Sequence, residues 1–259
     1  MHRNLIKRIN MARLKSKYAL ITGATSGIGL ETARQFVAEG ATLAITGRDQ
    51  AALEAAGREL GRNVVLIRSD AGNIADQRAL AQKLSEQWPR LDVLYANAGD
   101  VTHRPLAAWD EATYDRLLAT NLKGPFFLIQ ALLPLLSNPS SVILCGSVAA
   151  RIGLAQSSAY AASKAGLLSL ARTLSGEFKE RGIRVNGLSP GPTETAALGK
   201  LGLPPQEEEA LKQGIRELVP IGRMGTPWEL AKAAVFLASD ESSFIVGTDL
   251  LVDGGVANL

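Results

Sequence analysis

Short apolar runs punctuate the chain at YALIT (18–22), TLAIT (42–46), VVLI (64–67), LDVLYA (91–96), SVILC (141–145), IRVNGLS (183–189) and DLLV (249–252). Helical periodicity follows the early ones, as in DQAALEAAGREL after TLAIT. Apolar runs this short with few polar breaks predict strands buried on both faces, the habit of a parallel sheet. Strands alternating with helices predict an α/β chain: a single doubly wound Rossmann domain with a seven-stranded parallel sheet flanked by helices and right-handed crossovers.

The rhythm breaks over residues 193–226, where Gly and Pro are followed by a short charged helix. Within a compact domain, such an excursion predicts a substrate lid or binding loop. No linker, repeat or low-complexity segment divides the chain, so one domain is expected over residues 18–259.

Composition alters this picture little. The chain has 259 residues, 46% hydrophobic and 20% charged, as a soluble globular protein does. Its longest apolar stretches, such as FFLIQALLPLL, fall short of the ~20 residues that a membrane span needs. The single cysteine, Cys145, cannot form an internal disulfide and suits a reducing, cytoplasmic setting. Charge changes the picture more. Residues 1–17 carry six Lys/Arg and no acid, which leaves 22 basic against 25 acidic residues in the rest. The body is slightly acidic, so the overall charge of +3 gives no nucleic-acid surface. The basic segment reads as a disordered extension. It lacks the apolar core and cleavage site of a secretory signal, and Met11 serves as well as Met1 for a start.

Candidate chemistry begins at ITGATSGIGLETARQF, which places Gly23, Gly27 and Gly29 between the first strand and the first helix. Glycines let a pyrophosphate approach the free N–H groups and partial positive charge of a helix N-terminus. The spacing G-x-x-x-G-x-G departs from the common G-x-G-x-x-G fingerprint. At the end of the second strand, an acid normally holds the adenosine 2′-hydroxyl. Here Thr46, Gly47 and Arg48 stand there, and Asp49 reads as the cap of the next helix. An arginine without that acid suits a 2′-phosphate, which favours NADP(H) and leaves NAD(H) possible.

SSAYAASKAG (157–166) sets Tyr160 and Lys164 one helical turn apart among small residues. A free phenol titrates near 10 and is a poor base at neutral pH. A cation about 4 Å away contributes on the order of 4 kcal/mol at an effective dielectric near 20. That magnitude is enough to make such a phenol a useful proton carrier.

TGATSGIG (22–29), ANAG (96–99), Asn121 in NLKGPFF, Ser147 thirteen residues before Tyr160, YAASK (160–164) and PGPTET (190–195) follow one another in order. Together they resemble the short-chain dehydrogenase/reductase family, and within it the 3-oxoacyl reductases, from about Tyr18 to Gly255. The resemblance implies a catalytic set in which Tyr160 is the acid/base, Lys164 its partner, Ser147 the substrate-orienting hydroxyl and Asn121 the holder of a proton-relay water. It implies a pyrophosphate turn of Gly23, Thr25, Ser26, Gly27, Ile28 and Gly29. Asp70 and Ala71 are implied to meet the adenine. Asn97, Ala98 and Gly99 are implied to line the cofactor, and Pro190, Gly191, Thr193 and Thr195 to form the nicotinamide-side loop. The family often has a second asparagine where this chain has Ala96. A homotetramer, or a dimer, is also implied.

The histidines are His2 and His103, without a cysteine or paired-carboxylate constellation, so no metal is expected. Cys145 reads as strand packing, Trp109 and Tyr114 as helix packing, and Asp100 and His103 as neighbours of the substrate cleft. The leading expectation is an NADP(H)-dependent oxidoreductase acting on a small-molecule carbonyl or secondary alcohol. Two alternatives stand beside it: an NAD(H)-dependent alcohol, sugar or steroid dehydrogenase, and a non-catalytic nucleotide sensor.

Overall fold

The computed structural model describes residues 12–195 and 204–258. Its strands are β1 (Tyr18–Ile21), β2 (Thr42–Gly47), β3 (Val65–Arg68), β4 (Leu91–Ala96), β5 (Leu136–Cys145), β6 (Ile183–Pro190) and β7 (Asp249–Val252). Each contains or overlaps one of the apolar runs. They form one seven-stranded sheet in the order β3-β2-β1-β4-β5-β6-β7. Every pairing is parallel. The strands are apolar on both sides because both faces are covered.

One face carries α3 (Ile74–Gln87), α5 (Gly124–Leu132) and α6 (Ser158–Glu177). Leu80, Leu84, Leu128, Leu132, Leu167 and Leu174 from these helices bury against Leu20, Leu94, Val142 and Val185 of the strands. The other face carries α1 (Gly27–Ala38), α2 (Gln50–Leu60) and, late in the chain, α8 (Pro227–Ala238). There Phe36, Leu53, Val235 and Leu237 close over Ile21, Ile45, Tyr95 and Ile143. This burial removes apolar surface at about 25 cal/mol per Å² and is the main term that holds the three layers together. The remaining helices are α4 (Glu111–Leu118), which runs through a π-helical turn at 119–123 into α5, and α7 (Pro205–Glu217).

Helix starts follow local chemistry. Asp49, Asn73 and Asp110 accept first-turn N–H bonds of α2, α3 and α4. Asp49 is thus the cap that its position predicts. At α8, Thr226 and Glu229 form a reciprocal capping box with Pro227 in the first turn.

Two expectations are revised or fall partly outside the description. The segment 1–17 was expected to be a disordered extension; residues 1–11 lie outside the described residues, but 12–17 are packed. Leu14 is fully buried in the cluster with Phe36, and its N–H donates to Glu39 O at 2.9 Å. Arg13 pairs with the Glu39 carboxylate. An apolar residue followed the basic ones into a slot at the end of α1, which charge counting does not register. In the excursion, residues 196–203 lie outside the description. Its ends are joined: Thr193 bridges Gly225, Glu194 N–H donates to Gly225 O at 2.8 Å, and Gly225 N–H donates to Pro192 O at 2.9 Å.

The Arg223 guanidinium, with the Thr226 N–H, holds the Glu229 carboxyl down at about 2. Folding therefore favours the charged form, and its contribution is present above the ordinary value near 4.5 and lost as pH falls toward 2. Glu229→Gln is expected to lower the melting temperature at pH 7. The difference from wild type should shrink steadily below pH 4.5, read by circular dichroism melts across pH; a pH-independent difference would count against the charged cap.

Candidate active site

A cleft of about 720 Å³ opens along the C-terminal edge of the sheet, over the point where β1 has β2 on one side and β4 on the other. Open parallel sheets bind ligands at this switch point, because the chain leaves neighbouring strands in opposite directions there.

The floor of the cleft is the turn after β1. Gly23 has φ +65°, and a Cβ there would lie 2.8 Å from Ala98 Cα. A Cβ on Gly29 would fall 2.4 Å from Gly23 O and 2.5 Å from the Asn97 amide nitrogen. The turn is therefore closed to larger residues, and Asn97 is what it closes on. The Asn97 amide donates to Thr22 O at 3.0 Å and to Gly23 O at 3.1 Å, tying β4 to the turn. Ser26, at the start of α1, makes no side-chain cap bond, so the first-turn N–H groups face the cleft without a competing cap. Thr25, Gly27 and Ile28 complete this wall.

Beyond β2 and β3, Arg48 lines the cleft, and Arg68 Nε donates to its carbonyl at 3.0 Å. The Asp49 carboxylate is committed to Ala52 N–H at 2.7 Å. Asp70 and Ala71 line the same end, with one Asp70 carboxylate oxygen accepting from Gly72 N–H at 2.9 Å. Ala98 and Gly99 continue the wall from β4.

At the other end, Ser147, Tyr160 and Lys164 face the cleft together. Ser147 starts a short 3-10 turn after β5, and its Oγ accepts from Ala149 N–H at 3.1 Å. Tyr160 and Lys164 stand on the first turns of α6, at 9% and 3% exposure. Lys164 Nζ lies 5.8 Å from the Tyr160 ring centre, and its hydrogen bond at 2.7 Å goes to Cys145 O. The spacing gave adjacency, and the ammonium is held in place by a backbone carbonyl. The His103 ring packs on Tyr160 at 4.9 Å, and its Nδ1 is 2.9 Å from Ser157 Oγ. Burial pushes the His103 imidazole below its ordinary value. Pro190, Gly191, Thr193 and Thr195 close the remaining side, and Thr195 lies against the Gly27 turn.

Asn121 stands directly behind this gathering: a Cβ on Gly99 would lie 3.4 Å from Lys164 Nζ and 3.5 Å from Asn121 Oδ1. It is fully buried in the π-helical turn and is not among the residues lining the cleft. Its Oδ1 accepts from Asp100 N–H at 2.7 Å, and its Nδ2 donates to Asp100 O at 2.9 Å and Ser163 Oγ at 3.1 Å. The side chain is a clamp on the end of β4. Sequence reading missed several lining residues, chiefly Ser69, Arg116, Thr120 and Gly146. Ser69 directly follows β3, a position that strand ends alone mark. Nothing in the sequence turns Arg116 toward the cleft. Asp100 also lines the cleft. Burial pushes its carboxyl up, but the Thr102 hydrogen bonds and the Arg116 guanidinium outweigh that and hold it below the usual range.

A glycine turn under a free helix start at the switch point of a parallel sheet is the arrangement of the Rossmann-type fold. Comparison with known proteins refines the class. Residues 23–257 match the family model described as enoyl-(acyl carrier protein) reductase. The chain is 36% identical to D-threitol dehydrogenase of Mycolicibacterium smegmatis, over 94% of each chain. It is 34% identical to the 3-oxoacyl-[acyl-carrier-protein] reductase FabG of Thermotoga maritima, covering 94% of this chain and 99% of that one. Among solved structures, a short-chain dehydrogenase/reductase of the glucose/ribitol dehydrogenase type from Brucella melitensis superposes with a TM-score of 0.88 at 32% identity, over 94% of this chain and 98% of that one. The chain belongs to the short-chain dehydrogenase/reductase family. It is an oxidoreductase of alcohols or carbonyls, in a family that uses nicotinamide cofactors.

Gly29→Ala is expected to lower the melting temperature and abolish measurable binding of NADPH or NADH by fluorescence titration, because its Cβ has no room between Gly23 O and Asn97. Native-like binding in that variant would show that the turn can reopen.

Proposed function

We propose that the protein is an NADP(H)-dependent oxidoreductase that interconverts a small carbonyl compound and its secondary alcohol, with Tyr160 as the general acid/base. The observation that carries this reading is the convergence of Ser147, Tyr160 and Lys164 at one end of the cleft that has the glycine turn beneath it. The cleft suits the cofactor: its floor admits no Cβ at Gly29, its helix start is uncapped, and its second-strand end offers Arg48 in place of an acid. When bound, the nicotinamide supplies or accepts the hydride.

The chain's own residues handle the proton and the charge. In the reductive direction, the Tyr160 O–H donates to the substrate oxygen, and in oxidation the same oxygen accepts. Ser147 Oγ accepts from Ala149 N–H, which leaves its own O–H to donate to that substrate oxygen. Lys164 spends one N–H on Cys145 O and retains two for ribose hydroxyls. In this reading Asn121 clamps the loop after β4 at Asp100 and, close to Lys164 behind Gly99, keeps the proton-relay role. The stitched excursion 193–226 is the lid, and Pro190, Gly191, Thr193 and Thr195 shape the nicotinamide side.

NADP(H) is preferred over NAD(H) on the basis of Arg48. Its competitor Asp49 is engaged as a helix cap, and Arg68 adds a second positive charge nearby. The relatives' names cover a polyol and an acyl-carrier substrate, and the present reading stays with the shared chemistry. Cytoplasmic location is supported by the single, buried Cys145. A homotetramer is supported by exposed apolar residues such as Phe244, Val246 and Trp228, and by an apolar groove between α4, α5 and α6.

Tyr160→Phe is expected to lower kcat at least about 100-fold with cofactor affinity nearly unchanged. Near-normal turnover across a panel of ketones, sugars and acyl thioesters would end the mechanism, and binding without turnover in wild type would favour a sensor. Arg48→Ala should raise the KM for NADPH about tenfold or more while leaving NADH unaffected, read by nicotinamide absorbance.

A further inference from the structure

We infer that Arg116, held by Asp100, is an adenine-binding residue that forms a cationic wall at the adenylate end of the cleft. This inference rests on the nicotinamide-cofactor reading above.

Arg116 stands on the last turn of α4, one turn before Thr120, and both line the cleft. That face of the helix reaches the loop after β3, where the adenine is expected. A Cβ on Gly72 would lie 3.1 Å from Thr120 Oγ1. Thr120 therefore stands against the loop that carries Asp70 and Ala71, and Arg116 lines the cleft one turn before it.

The guanidinium is fixed in place. Arg116 Nε donates to one Asp100 carboxylate oxygen at 3.1 Å, and the other oxygen accepts from Thr102 N–H at 2.9 Å and from the Thr102 hydroxyl. The Asp100 backbone is itself clamped on both sides by the Asn121 amide. This chain of bonds leads from a fully buried residue out to the cleft. Arg116 remains 52% exposed, and no other side chain among the described residues is hydrogen-bonded to its terminal nitrogens.

Such a planar cation has two ways to hold a purine: its face stacks on the ring, and its free N–H groups donate to ring nitrogens. Val101, 57% exposed on the same wall, offers apolar surface to the base. A surface ion pair of this kind contributes little to stability, so an effect on binding separates the two roles. Asp100 is a positioning residue that acts through Arg116.

The test uses calorimetric titration of the full-length protein with ADP-ribose, adenosine 2′,5′-bisphosphate and reduced nicotinamide mononucleotide. Arg116→Ala is expected to weaken ADP-ribose about 5- to 20-fold and the bisphosphate by the same factor, and to leave the mononucleotide unchanged. Arg116→Lys should recover little of the loss, because it lacks the plane, and Asp100→Asn should give a smaller loss of the same pattern. Equal loss for all three ligands, loss for the bisphosphate alone, full recovery by lysine or no loss at all would each overturn the assignment. Wild-type protein that binds none of the three would overturn the cofactor reading itself and this inference with it, whereas binding by wild type with an unaffected alanine variant overturns only the inference.

Discussion

Burying a parallel sheet on both faces is the constraint from which the rest follows. Each strand must be re-entered from the same end, so every crossover leaves over one edge, and that edge collects the chain's turns. Around the switch between β1 and β4, those turns separate and leave a cleft. Asn97 turns this topological necessity into a site: one side-chain amide donates to the consecutive carbonyls of Thr22 and Gly23 where the first turn begins, and sets its floor. The glycines are then required by the space that remains.

Much of this was legible in the sequence, for physical reasons. Strands buried on both sides must be apolar at nearly every position, and they were found at each apolar run. Helix caps are short-range chemistry, which is why Asp49 could be placed correctly from its neighbours alone. The pairing of Tyr160 with Lys164 is a property of helical spacing and carried over directly.

Long-range geometry was not legible. Spacing says that an ammonium lies near a phenol, but the acceptor it chooses, Cys145 O, comes from a strand 19 residues away in sequence. The amide of Asn121 bonds the backbone of Asp100, 21 residues away, a partner that motif spacing does not reveal. The placement of Asn121 depends on a π-helical turn, whose extra residue rotates the face of the helix and leaves no mark in hydrophobic period. Leu14 likewise shows that a basic stretch can contain the residue that docks it.

The bridge between Thr193 and Gly225 has an evolutionary consequence. The two feet of the excursion are fastened to each other, and its described end is tied again to the segment after β7, where Ile221 N–H donates to Gly254 O. Lengthening such a closed segment costs only about 0.6 kcal/mol for each doubling. Changes of length between the feet thus leave the closure at Thr193 and Gly225 in place, and on the proposed lid role they are a route by which substrate preference drifts.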